Sequence, residues 1–181
     1  MITLKEKQNK AFEILKDKFG YKNVMQSPKL VKIIVSSGTG SQKDKKRKEL
    51  IGDRLNKITG QKVAEKGAKK SIASFKVRQG DPVGYQATLR GVRMYNFLEK
   101  LVNIALPRTK DFRGLKNSAV EGNAINVGIK EHTIFPETAD EDIKDVFGLA
   151  VTVVTTSKSK AETKAFLEVL GFPFAKEVAK K

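Results

Sequence analysis

The run Val83–Gly91, VGYQATLRG, alternates apolar and polar side chains. Successive side chains of a strand point to opposite faces. Tyr85, Ala87 and Leu89 therefore share one side, and Gln86, Thr88 and Arg90 the other. The preceding run Ser71–Gln79, SIASFKVRQ, has the same pattern, with Ala73, Phe75 and Val77 set against Ser74, Lys76 and Arg78. Gly80, Asp81 and Pro82 separate the two runs, so the pair reads as a hairpin. A strand that is apolar on one side only belongs to a sheet covered on one face.

The rest of the chain supplies the cover. Leu4, Ala11, Phe12, Leu15 and Phe19 recur at helical spacing over 4–19, and Gly20 closes the pattern. KLVKIIVS (29–36) reads as a strand. Lys43–Lys57 reads as a second helix burying Leu50, Ile51, Leu55 and Ile58, with Gly60 ending it. Met94, Phe97, Leu98, Leu101, Ile104 and Ala105 form a core helix that Pro107 stops. Residues 108–123 lack any period and read as an extended loop, uncommon in compact domains unless it binds something. AINVGIK (124–130) and LAVTVVTT (149–156) are further strands. A last helix starts at a capping box, Ser159 with Glu162, and ends at Gly171. The expectation is an α+β fold of two layers: a mostly antiparallel, twisted sheet of about five strands with helices on one face. Its 181 residues suit a single domain over 1–181.

Lys and Arg number 36 against 20 Asp and Glu, a net charge of +16. Such an excess repels itself unless a partner neutralises it; nucleic acid is the first candidate and an anionic membrane surface the second. Cysteine is absent, which excludes disulfides and thiolate metal sites. No run approaches the roughly 18 apolar residues of a spanning helix, so no membrane partner is expected. The acidic residues of the first twenty argue against a targeting segment, and the expected location is the cytoplasm.

The stretch Val35–Lys48, VSSGTGSQKDKKRK, places glycines beside lysines after a strand. It fails as a dinucleotide fingerprint because Lys43 stands where the third glycine belongs. It fails as a P-loop because no Gly-Lys-Ser/Thr follows. What remains is a glycine turn leading into a helix that begins with Lys43, Lys45, Lys46, Arg47 and Lys48. Cations near a helix N-terminus are unfavourable unless a polyanion lies close. A solvated helix end is the alternative reading. The hairpin face of Ser74, Lys76, Arg78, Gln86, Thr88 and Arg90 suits phosphates, 2′-hydroxyls and base edges, or else it is an ordinary solvated face. Five of the seven arginines lie between 78 and 113, which favours RNA, because Arg grips phosphate bidentately. Lys69, Lys70 and Arg93 complete this candidate set.

Catalysis finds little support. His132 is the only histidine, and a structural role outweighs a general base. The acids of Glu137–Asp145 lack the spacing of a cation loop, and Thr138 with Glu141 reads as a capping box instead. No metal, cofactor or catalytic residue is expected.

VMQSPKLVKIIV, TGQKV, KSIASFKVRQGDPVGYQATLRG, ALPRTKDFRGL, IFPE and GFPFAK occur in this order. With these motifs the chain resembles the bacterial ribosomal protein L five family over nearly its whole length, from Val24 to Lys176. The resemblance implies an RNA-recognition-like sheet and a structural, non-enzymatic role in the large ribosomal subunit. It implies binding to 5S rRNA at the central protuberance, beside other large-subunit proteins. Contacts with large-subunit rRNA, the peptidyl-site tRNA and the thirteenth small-subunit head protein are implied too. The family's 5S-contacting polar positions fall on Ser36, Gln61 and Thr88. Ser36 stands where the family carries Asn, so Ser37 or a water is an alternative donor there. The tip Arg78, Gln79, Gly80, Asp81, Pro82, Val83 and Gly84 resembles the segment that reaches tRNA, with Asp81 replacing an aromatic. Two rival readings stay open: a free-standing RNA chaperone, and a nuclease or phosphotransferase using Glu137–Asp145.

Overall fold

The computed structural model describes residues 3–40, 42, 44–110, 112–139 and 145–175. Lys43, Glu141 and the terminal EVAKK lie outside the described residues. Six strands form one sheet in the order β2-β3-β1-β6-β5-β4: β1 Leu30–Gly38, β2 Ala64–Gly67, β3 Pro82–Leu89, β4 Val120–Glu121, β5 Ala124–Ile129 and β6 Leu149–Thr155. The pairs β2–β3 and β4–β5 are antiparallel. So are β1 and β6: Ser37 at one end bonds the Gly148 carbonyl, and Thr156 N–H at the other bonds that of Lys29. The α+β expectation holds, with one strand more than foreseen.

Among the described residues, the α-helices are α1 Leu4–Phe19, α2 Lys45–Thr59, α3 Gly91–Lys100, the short α4 Leu106–Arg108, and α5 Lys160–Leu170. Their ends follow the sequence signals. Gly20, Gly60 and Gly171 cap α1, α2 and α5 in the left-handed conformation that glycine adopts without a Cβ penalty. Ser159 Oγ accepts the Glu162 N–H as predicted, but the Glu162 carboxylate does not return to its cap. It accepts from Lys158 N–H and from the Tyr21 hydroxyl.

Pro107 does not stop the third helix outright. A π turn, Leu101–Ala105, joins α3 to α4, and Pro107 lies in the last turn. Proline has no N–H to donate and crowds the carbonyl four residues back, and a widened turn accommodates both. The extra residue per turn shifts the apolar stripe: Leu101, Val102, Ala105 and Leu106 are buried, while Ile104, expected in the core, is exposed. The loop 108–123 holds more structure than its pattern predicted. It contains a 3-10 turn at Asn117–Ala119 and β4, and Leu115 pairs with Phe174 in a parallel bridge.

The chain divides into two compact units. Unit 1 is Met1–Ile33, Arg90–Val127 and Thr152–Lys181; unit 2 is Ile34–Leu89 and Gly128–Val151. In unit 1, α1 packs on α5, and Ala11, Leu15, Phe166 and Leu170 are buried. In unit 2, α2 lies on β3: Ile51, Leu55, Ala87 and Leu89 are buried, and Gly52 is small enough to let the Tyr85 ring approach.

The predicted hairpin is corrected. β3 pairs with Ala64–Gly67, not with 71–79, in the register Ala64↔Gln86, Glu65↔Tyr85 and Lys66↔Gly84. Residues 73–75 form a 3-10 turn, and Lys76 follows with φ at +52°, which no strand residue adopts. β2 occupies the edge of β3 that 71–79 was expected to fill.

Candidate nucleic-acid interface

The side of β3 away from α2 carries Gln86 and Thr88, both half-buried. The Thr39 N–H bonds the Val83 carbonyl. In β1, Ile33, Val35 and Ser37 are buried, so alternation puts half-buried Ser36 on the other side of that strand. The Gln61 amide donates to the Thr88 carbonyl at 3.1 Å. Gln61 follows the α2 cap Gly60, so a helix end delivers it to the strand. Among the described residues, the Ser36 and Thr88 hydroxyls make no hydrogen bond. Gln61 and Thr88 are thus joined, and Ser36, half-buried like them, lies on β1 of the same unit. Ser37 does not replace Ser36. It is 4% exposed, and its hydroxyl is taken by the Gly148 carbonyl at 2.7 Å.

The glycine segment is tied down. Thr39 is fully buried, and Gln42 N–H closes a turn onto its carbonyl. Asp44 is the N-cap of α2, and its carboxylate accepts the Lys46 N–H at 3.0 Å. This carboxylate sits at the helix N-terminus and offsets the cost of the cations that crowd the first turn. Lys46 is exposed and Arg47 half-buried, and the Lys48 ammonium donates to the Pro82 carbonyl. Lys43 lies outside the described residues.

The predicted cationic platform is split. Thr88 stands on β3, but Ser74, Lys76 and Arg78 belong to an exposed arm, residues 68–81, that joins β2 to β3. Arg90 is the exposed N-cap of α3 in unit 1, where Arg93 is also exposed. The arm is knit by its own bonds: Ala68 N–H to Asp81, Gly80 N–H to Ala68, and Ile72 with Val77 in both directions. Gln79 N–H donates to the Ser71 hydroxyl. The Asp81 carboxylate accepts the Arg78 N–H at 2.7 Å, so the acid closes the tip turn. Gly80 has φ at +90°. Pro82 and Val83 open β3, and Gly84 is buried because β1 runs close: a Cβ there would lie 2.9 Å from the Ser37 carbonyl oxygen. Lys69 and Lys70 are exposed on the arm.

Sequence reasoning missed the arm's apolar surface. Phe75, expected on the dry face, is 73% exposed, and Ile72 is also exposed. The cluster Lys-Gly-Ala-Lys-Lys-Ser at 66–71 was the available signal that no strand begins there. His132 is structural: fully buried, its Nδ1 accepts the Phe147 N–H, and its ring stacks on Phe147 at 4.1 Å. The Thr138 hydroxyl donates to the His132 carbonyl, and the capping box expected with Glu141 lies outside the described residues. Among the described residues, no group of three or more His, Asp or Glu is arranged to hold a metal ion, and no helix is long and apolar enough to cross a membrane.

A basic α+β chain with an open polar strand face and a cationic arm has the features of an RNA-binding ribosomal protein. Residues 23–78 match the family "Ribosomal protein L5", and residues 82–174 match the model of that ribosomal family's C-terminus. The chain is 48% identical over 163 residues to the large ribosomal subunit protein uL5 of Natranaerobius thermophilus, covering 89% of this chain and 91% of that one. It is 46% identical over 179 residues to the uL5 protein of a Thermoanaerobacter species, covering 97% of this chain and all of that one. The uL5 protein of Flavobacterium johnsoniae is 46% identical over 173 residues, 94% of each chain. The chain belongs to the ribosomal protein L5 family.

Proposed function

We propose that this chain is a structural constituent of the large ribosomal subunit that binds 5S rRNA through the Ser36–Gln61–Thr88 patch and helps attach it to the central protuberance. It is not an enzyme, and its place of work is the ribosome. The exposed cations Lys46, Lys69, Lys70, Lys76, Arg90 and Arg93, with half-buried Arg47, neutralise phosphates of 5S and large-subunit rRNA. The arm tip, Arg78–Gly84, faces the peptidyl-site tRNA, and further contacts run to neighbouring large-subunit proteins and to small-subunit head protein thirteen. The observation that carries the reading is the Gln61–Thr88 bond, which joins two positions separated in sequence into one polar site. A serine at 36 still donates and accepts a hydrogen bond, though it cannot pair bidentately as the family's Asn does.

The test is Thr88→Ala, read by titration with 5S rRNA. Losing one hydrogen bond of about 1 kcal/mol weakens binding several-fold. The thermal transition stays in place, because the Gln61 bond uses the Thr88 backbone. An affinity equal to the parent's would reject the patch as the 5S site.

A further inference from the structure

The arm is a folded segment that holds apolar surface in water. Its 3-10 turn, Ala73–Phe75, ends at Lys76 in the left-handed region, a conformation uncommon outside glycine. Immediately before that turn's end, Phe75 stands 73% exposed. Phe75, Ile72, Val77, Ala68, Val83 and Gly40 line a groove of about 670 Å3, with Lys69 and Lys70 also on its walls. That volume lies within the ~300–1,000 Å3 typical of small-ligand pockets. A mostly apolar groove with an exposed aromatic ring marks a contact surface rather than core.

We propose that this groove receives an unpaired base of ribosomal RNA, stacked on Phe75, with Lys69 and Lys70 on the flanking phosphates. The inference deepens the RNA-binding reading above and rests on it. Two features select the occupant. The ring offers a π face, and every nucleobase stacks on one without needing a hydrogen-bond code. The arm carries Lys69, Lys70, Lys76 and Arg78 against the single acid Asp81, whose carboxylate already holds the Arg78 N–H. An apolar protein side chain would fill the groove but leave those four cations uncompensated, whereas a nucleotide answers both. A paired base cannot enter, so the groove discriminates single-stranded loops from duplex.

The experiment titrates the full chain with a hairpin RNA whose loop carries 2-aminopurine, and with a blunt duplex of equal phosphate count. The expected result is a change in 2-aminopurine fluorescence on binding the hairpin. Phe75→Ala loses about tenfold or more in hairpin affinity. Its duplex affinity and salt slope stay unchanged, and Phe75→Tyr restores the hairpin preference. Phe75 is exposed, so these variants keep the parent's melting curve. RNA binding that persists with no change in Phe75→Ala, or an equal loss on both RNAs, overturns this inference and leaves the broader RNA reading standing. Full retention of hairpin affinity by Phe75→Leu also overturns it, in favour of a plain apolar contact with the RNA in place of stacking on a ring. Failure of the parent chain to bind either RNA overturns both.

Discussion

At the scale of single residues, glycines report where backbone passes close to backbone. Gly114, within Asp-Phe-Arg-Gly-Leu, has φ at +96°, and a Cβ there would lie 2.5 Å from the Ala175 nitrogen. Next to it, Leu115 N–H bonds the Pro173 carbonyl, and Ala175 N–H bonds that of Leu115. The segments 112–115 and 171–175, almost sixty residues apart, are therefore one piece of structure. Gly20 has a similar φ of +67° but nothing near its missing Cβ. Gly20→Ala is expected to cost only the conformational penalty of roughly 1–2 kcal/mol. Gly114→Ala adds a steric penalty of about 1–3 kcal/mol. Urea unfolding of both variants measures the difference, and equal costs would show that the Gly114 contact relaxes freely.

At the scale of elements, the first turn of α5 is fastened to the residue just past α1. The buried Tyr21 hydroxyl donates to Glu162, whose other oxygen takes the Lys158 N–H. Burial raises the Tyr21 pKa above its ordinary value, and the hydrogen bond and charge of Glu162 raise it further. The folded chain thus keeps the phenol proton to higher pH than the unfolded chain, which releases it near ~10. The stability this provides is complete below about pH 10 and is lost as pH rises beyond it. Tyr21→Phe should lower the melting temperature at neutral pH and narrow its gap to the parent above about pH 10. Parallel melting curves across that range would exclude the coupling. A second polar fastening lies at the same end of unit 1: the Thr155, Ser157 and Thr163 hydroxyls are bonded in a buried chain that reaches the Gly122 carbonyl.

At the scale of the whole molecule, the charge of +16 is the dominant fact. Ion pairs on its surface, such as Lys57–Asp53 at 3.6 Å and Lys164–Glu168 at 3.9 Å, are exposed and worth little. The excess is therefore free to act on a polyanion. If about five phosphates are neutralised, log affinity for 5S rRNA falls against log salt with a slope near −4. A flat response would mean that the cations do not grip the backbone.

The sequence by itself determined the helices, their caps and the class of fold. Those depend on neighbours within one or two turns: Thr3 with Glu6, Asp44 with Lys46, and Gly20, Gly60 and Gly171 at the ends of α1, α2 and α5. It also carried the charge, and with it the class of partner. Only the tertiary structure decided which strand lies beside β3. Ala-Glu-Lys-Gly has little intrinsic preference for a strand, yet it holds that edge. The alternation in 71–79 looked better and became an arm. Strand pairing is a contact between distant segments, and a period of two states which face is dry without naming the partner. The same non-local choice carried Phe75 out of the core and into solvent, where no local pattern would have placed it.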